Sequence, residues 1–146
     1  FGEWVDAFWI DSIFRTVKDN PQHTFIFLTK CPWNLQKWSP FPENCWVGIT
    51  VTNTQQAISA ITPMAEIEAK VKFISYEPLL EKVPCHYILD LINWLIIGSR
   101  TQPYHPPKLE WVKEIVKAAD QVDIPVFIKN NLKPLLGEIL RQEFPK

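Results

Sequence analysis

Apolar residues along the chain fall into short unbroken runs, separated by stretches with helical spacing. Trp4, Phe8, Ile10, Phe14 and Val17 recur at near-helical intervals with Asp6, Asp11, Arg15 and Lys18 between them. This spacing predicts an opening helix that stops at Asn20-Pro21. Thr24–Thr29 is β-branched and aromatic with an apolar middle, which predicts a buried parallel strand rather than a half-exposed one. Similar runs at Cys45–Val51, Lys70–Tyr76, Trp94–Gly98 and Pro125–Lys129 predict four more strands. Asn53-Thr54 can cap a helix running to about Met64, with Pro63 weakening its end. A short helix is expected near Tyr87–Leu91. Leu109–Val122 carries the clearest helical pattern, with Leu109, Val112, Ile115, Val116 and Ala119 on one face. The Pro- and Trp-rich stretch Pro32–Pro42 reads as irregular or a short helix, Tyr104–Pro107 as a loop, and Leu132–Phe144 as a short helix or turn.

Short apolar strands alternating with helices imply βαβ units, and right-handed crossovers put the helices outside a parallel sheet. The fold class expected is α/β, with about five parallel strands in an open sheet or partial TIM-type barrel. No linker divides the chain, so residues 1–146 read as one domain. The chain opens on Phe1-Gly2-Glu3-Trp4 and runs straight into helical spacing. It is therefore read as the C-terminal part of a larger barrel, a fragment or trimmed chain.

A net charge of −1 argues against a bulk electrostatic grip on nucleic acid, though a local basic patch stays open. No apolar run reaches the roughly 18 residues of a membrane span. Cys31, Cys45 and Cys85 are odd in number and widely spaced, unlike a disulfide framework or a zinc or iron–sulfur loop. Free thiols in a reducing cytoplasm are the expectation.

The candidate chemistry lies at the strand ends. They read Thr29-Lys30, Thr50-Val51-Thr52-Asn53, Ser75-Tyr76-Glu77, Gly98-Ser99-Arg100 and Lys129-Asn130-Asn131. In a parallel sheet these ends share the edge at which α/β proteins build their sites. Glu77 can take a ligand amine or hydroxyl, or simply fix the turn before Pro78. Lys30 and Lys129 can hold a carboxylate or phosphate as point charges, or stay solvated. Arg100 can fork onto an anion, and Asn53 can bind ligand or cap its helix. Gly48 and Gly98 sit inside strands, which suggests close approach by a ligand or backbone, or a bulge. His23, His86 and His105 are too scattered for a metal site, and no glycine-rich nucleotide fingerprint occurs. Trp33, Trp38 and Trp46 could stack bases, although packing is the commoner use of tryptophan.

The strands also carry a resemblance. Phe1-Gly2-Glu3-Trp4, Pro21-Gln22-His23-Thr24-Phe25, Leu28-Thr29-Lys30 with Pro32, Val47-Gly48 with Thr50-Val51 and Asn53 follow one another in order. So do Ala69-Lys70-Val71, Phe73 with Ser75, Glu77, Pro78, Leu79 and Leu80, then Trp94 with Ile96, Ile97 and Gly98, then Trp111-Val112, and Pro125, Phe127 and Lys129. In this ordered set the chain resembles a family of phage and bacterial proteins of unassigned function in the radical-SAM-like superfamily, similar in outline to the spore photoproduct lyases. In two places the sequence departs from that family. Ser99 and Arg100 follow Gly98 where a second glycine and a glutamate are usual, and Cys31 stands where an arginine is usual.

The resemblance implies S-adenosylmethionine (SAM) and a [4Fe–4S] cluster for the full-length family. The cluster-binding cysteines would lie in an upstream loop, so no cofactor or metal is expected on this chain alone. Thr50, Asn53, Ser75 and Glu77 would line the SAM cavity. Thr29, Lys30, Arg100, Lys129 and Asn130 would meet the substrate. The expected partner is an unknown small molecule or nucleic acid, together with a missing N-terminal segment or another copy of the chain. Two alternatives remain: a nucleotide or nucleic-acid binding module without redox chemistry, and a non-catalytic fragment that pairs with another chain.

Overall fold

In the computed structural model, which describes residues 1–146, five apolar runs pair into one parallel sheet. Its strands are β1 (Phe25–Thr29), β2 (Cys45–Thr50), β3 (Val71–Tyr76), β4 (Trp94–Ile97) and, after a small hairpin of β5 (Arg100–Thr101) and β6 (Tyr104–His105), β7 (Val126–Ile128). The order across the sheet is β1-β2-β3-β4-β7, so each strand lies beside the one before it in the chain once the hairpin is set aside. The sheet is open: β1 and β7 are its two edges and do not meet.

The helices are α1 (Ala7–Asp19), α2 (Thr54–Glu66), α3 (His86–Leu89), α4 (Leu109–Asp120) and α5 (Lys133–Leu136), with a 3-10 helix over Pro32–Trp38 and another over Asn130–Leu132. Asp6 starts α1 by accepting from the Phe8 N–H at 2.8 Å, and Asn53 starts α2 by accepting from the Gln56 N–H at 2.9 Å. The carboxyl end of α1 is closed from a distance. The Asn44 side-chain amide donates to the carbonyls of Val17, Asn20 and His23.

All the packed helices lie against one face of the sheet. Val17, Leu35, Ala57, Ala60, Met64, Ile88, Leu89, Val112, Ile115 and Ala119 join Val47, Ile49, Ile74, Tyr76, Leu95, Ile97, Val126 and Ile128 in one core. The register sends the alternate residues Trp46, Gly48, Phe73, Trp94, Ile96 and Phe127 to the opposite face, where Val71, Phe73 and Trp94 form a small second cluster. The C-terminal tail covers part of that second face. Arg141 and Glu143 bond to β7 from its outer side, through Ile128 N–H to Arg141 O at 2.8 Å and Glu143 N–H to Val126 O at 3.1 Å. Phe144 then folds over Trp94 and Phe127, with ring centres 5.4 and 5.3 Å apart.

The structure corrects several expectations. β1 is a half-exposed edge strand, not a doubly buried one, because nothing pairs with or covers its outer side; Ile26 and Leu28 are exposed. α1 begins at Ala7 and buries Ile10 and Val17, while Trp4 lies before the helix and Phe8 points to solvent. The stretch after β1 takes the short-helix form of the two expected for it, a 3-10 helix over Pro32–Trp38. Residues 100–105 form a hairpin, and the chain end is mostly an extended tail. Neither strand glycine marks a bulge. A Cβ at Gly48 would come within 2.3 Å of the Phe73 ring, which lies across β2 there. No helix is long and apolar enough to cross a membrane.

Candidate functional site

Parallel pairing carries the polar strand tips to one edge. On the face away from the helices, Thr50, Ser75, Ile96 and Phe127 stand side by side across β2, β3, β4 and β7. Backbone bonds extend the ladder one layer beyond the strands, with Gly98 N–H to Tyr76 O at 3.0 Å and Lys129 N–H to Ile97 O at 2.9 Å. By the alternation of side chains, Glu77, Gly98 and Lys129 therefore share that face.

Gly98 lies between the other two. A Cβ there would come within 2.9 Å of Glu77 Oε1 and 3.0 Å of its Cγ and Cδ. The bare glycine leaves a channel through which the Glu77 side chain passes over β4. Its Oε1 reaches Lys129 Nζ at 2.6 Å. Asn131 holds the carboxylate from the other side: its Nδ2 donates to Glu77 Oε1 at 3.3 Å and to the Ser99 carbonyl at 3.1 Å. Ser99 in turn donates from its N–H to Asn131 Oδ1 and from its hydroxyl to the Asn131 carbonyl, at 3.1 and 2.9 Å. The Asn131 amide is thus oriented at both ends, and Ser99 is buried.

This arrangement presents one carboxylate and one ammonium group side by side at the mouth of an aromatic floor made by Phe73, Trp94 and Phe127. Lys129 is half-buried, and Glu77 is three-quarters covered. A ligand that brings both a cation and an anion could replace the internal pair without leaving either charge uncompensated.

Residues 1–136 match a family model described as a protein of unknown function, DUF5131. The chain belongs to that family. No curated protein and no solved structure matches it. The tail that covers β7 and Trp94 lies beyond the matched residues.

The other candidates sort away from the Glu77 network. Lys30 and Thr50 line a separate hollow of about 120 Å³ with Pro32, Trp33, Gln56 and Ser59. Asn53 is spent on capping α2. Thr29 is buried on the helix side and accepts from the Cys31 N–H at 3.0 Å. Arg100 is exposed on the hairpin, and Asn130 accepts from the Gln142 side chain at 3.1 Å. Ser75 is buried between Thr50 and Ile96 at the floor of the site. Asn131 and Ser99, the two residues that fix the carboxylate, belonged to the strand-end set but had been given no role of their own. The signal for them was their place at the tips of β7 and β4.

Of the three tryptophans considered for base stacking, Trp38 packs on Phe14 and Trp46 on Trp94, leaving Trp33 exposed. The largest hollow, about 720 Å³, opens at the opposite edge among Asp120, Asp123, Arg141 and Glu143. Arg141 there pairs with both Asp120 and Glu143. The Val126 N–H and the Arg141 guanidinium hold the Glu143 carboxyl below the usual glutamate range. We therefore assign this cleft to anchoring the tail.

The cysteines do not fit an iron–sulfur cluster. Cys31 follows β1, Cys45 is buried at the start of β2 and Cys85 is buried before α3, and no three potential metal-ligating side chains come together. Burial pushes the Cys45 thiol up to about 11 and raises that of Cys85, the reverse of what a thiolate ligand needs.

Proposed function

We propose that this chain is the ligand-positioning part of a radical-SAM-type partial α/β barrel, with the Glu77–Lys129 pair as the recognition element for the amino-acid end of SAM. Sequential strand order with every packed helix on one face supports the barrel reading, because a doubly wound sheet would reverse its order and place helices on both faces. The aromatic second face would then line the lumen, and the polar strand tips its mouth.

The single observation that carries the ligand assignment is the Glu77–Lys129 contact across Gly98. In this reading Glu77 receives the ammonium group of a zwitterion and Lys129 its carboxylate, while Asn131 keeps Glu77 turned toward the mouth. Ser75 supplies a hydroxyl one layer below. When bound, SAM would bring the sulfonium whose cleavage drives radical chemistry. This chain's share is to bind, orient and shield the ligand. Its cysteines provide no cluster site, so the chain by itself is expected to bind without turnover.

Isothermal titration of the chain with SAM and with free methionine tests the proposal. Binding of SAM that weakens about tenfold, roughly 1.4 kcal/mol, in both Glu77→Gln and Lys129→Met is the expected result. Binding indifferent to both changes, or none at millimolar SAM, would sink it.

A second reading has one observation in its favour. Trp33 is exposed beside Lys30 at the neighbouring hollow, an aromatic face next to a cation that suits a stacked nucleotide base. Titration with short single-stranded DNA, followed through the loss of signal in Trp33→Ala, separates this reading from the first.

A further inference from the structure

The tail leaves α5 through Gly137, whose φ of 94° lies in the region that favours glycine. Beyond this pivot the backbone runs antiparallel to β7 and meets it where Gln142 faces Phe127. The five strands of the sheet are all parallel, so the tail is an addition to its edge. Two main-chain bonds join it to β7, from the Ile128 N–H to Arg141 O and from the Glu143 N–H to Val126 O. Its remaining anchors, Arg141 with Asp120 and with Glu143, lie at the surface. Ile139, on the way from the pivot, touches almost nothing and is 96% exposed.

What the tail carries to the aromatic face is Phe144. Its ring packs on both Trp94 and Phe127, yet the residue is 55% exposed. The ring therefore rests in a shallow slot and not in a core. The Trp94 indole N–H is the one polar group on the three side chains of the floor, and its acceptor is the Glu143 carbonyl at 2.8 Å. The tail thus supplies a flat ring together with a hydrogen-bond acceptor. Phe127 stands two residues before Lys129 on the same face, about 7 Å along the strand. The slot and the Glu77–Lys129 pair are neighbouring parts of one surface.

We propose that Phe144 and the Glu143 carbonyl are an intramolecular stand-in for a heteroaromatic ring, and that the tail swings off Trp94 when such a ring enters. The ring that fits is planar, so that it can replace Phe144 against Trp94 and Phe127. It also carries a ring nitrogen, which accepts from the Trp94 N–H in place of the carbonyl. A purine base meets both demands. The link to SAM rests on the reading of Glu77 and Lys129 as the seat of its amino-acid end: the base then fills the slot below them.

The test uses the whole chain with Phe144 replaced by para-fluorophenylalanine, and adenosine as the probe, which has the base but not the amino-acid group. Saturating adenosine should move the fluorine NMR signal to its position in the urea-unfolded chain. By calorimetry, Phe144→Ala should bind adenosine about tenfold more tightly than the unaltered chain, because a docked tail lowers the binding-competent fraction. Arg141→Gln, which loosens the tail without touching the slot, should also tighten binding. No adenosine binding at millimolar concentration, a fluorine signal that stays in place as adenosine binds, or affinity that neither variant raises would overturn the inference. If SAM binding weakens in Glu77→Gln while adenosine never displaces Phe144, the inference falls and the reading of the charged pair stands. Displacement of Phe144 by adenosine, with SAM binding indifferent to Glu77→Gln, upholds the slot and removes that reading.

Discussion

Glu77 Oε1 and Lys129 Nζ lie 2.6 Å apart although their residues leave strands β3 and β7, with β4 between them. The carboxylate can cross that strand only because position 98 has no side chain. This links a single glycine to the charge pattern of the candidate site, and it separates site effects from folding effects in a way that variants can test.

Gly98→Ala puts a methyl group against Glu77, whose free end can swing into solvent. SAM affinity should fall by about tenfold, with little change in the urea midpoint. Calorimetric titration and chemical unfolding of the same variant check both parts.

Gly48→Ala should behave in the opposite manner. Its methyl group would meet the fully buried Phe73 ring, which has no room to move. Overpacking of this kind costs about 1–3 kcal/mol, visible as a lower urea midpoint, and the ligand affinity of the remaining folded protein should be unaltered.

Asn53 and Asn131 are both asparagines at strand tips, and they should part company. Asn53→Ala removes a helix cap and should cost about 0.5–2 kcal/mol of stability without touching SAM affinity. Asn131→Ala frees Glu77 and should weaken SAM binding. If Asn53→Ala weakens SAM binding as Asn131→Ala does, the side chain has a ligand role beyond its cap.

The tail should loosen in acid. The Glu143 carboxyl titrates lower in the folded chain than its ordinary value of about 4.3, chiefly through the Val126 N–H and then Arg141. Its stabilisation is complete above that ordinary value and is lost as pH falls through the folded value. Trp94, whose indole N–H donates to the Glu143 carbonyl at 2.8 Å, is the natural reporter. Its fluorescence should change over that acid range, and Glu143→Gln should abolish the transition.

Trp33→Ala should leave stability within about 0.5 kcal/mol, as expected of an exposed side chain. Trp94→Ala, in the aromatic cluster, should cost about 3–5 kcal/mol. Thermal unfolding of the two variants compares them directly.

Much of the frame was legible from residue order. Unbroken apolar runs marked all five strands of the sheet, and the spacing of Val112, Ile115 and Ala119 marked the buried face of α4. Where the reading failed, the cause was tertiary. Phe25–Thr29 has the composition of a central strand, yet it lies at an edge, because composition records what a strand can bury and not what arrives to bury it. Trp4 and Phe8 fit a helical stripe, but α1 has a neighbour only on the side of Ile10 and Val17. The candidate list drawn from strand tips was likewise too broad. Thr29, Asn53 and Asn130 satisfy local backbone or side-chain partners, which spacing cannot distinguish from ligand binding.

The sequence by itself determined the α/β alternation, the parallel sheet and the gathering of polar tips at one edge, because side-chain periodicity and the geometry of crossovers are local properties. Only the tertiary structure decided that Glu77 meets Lys129, that Asn131 and Ser99 hold it there, and that the tail covers one edge while the other stays bare. Those outcomes depend on which strands become neighbours and what passes between them, and in a parallel sheet such contacts join residues tens of positions apart.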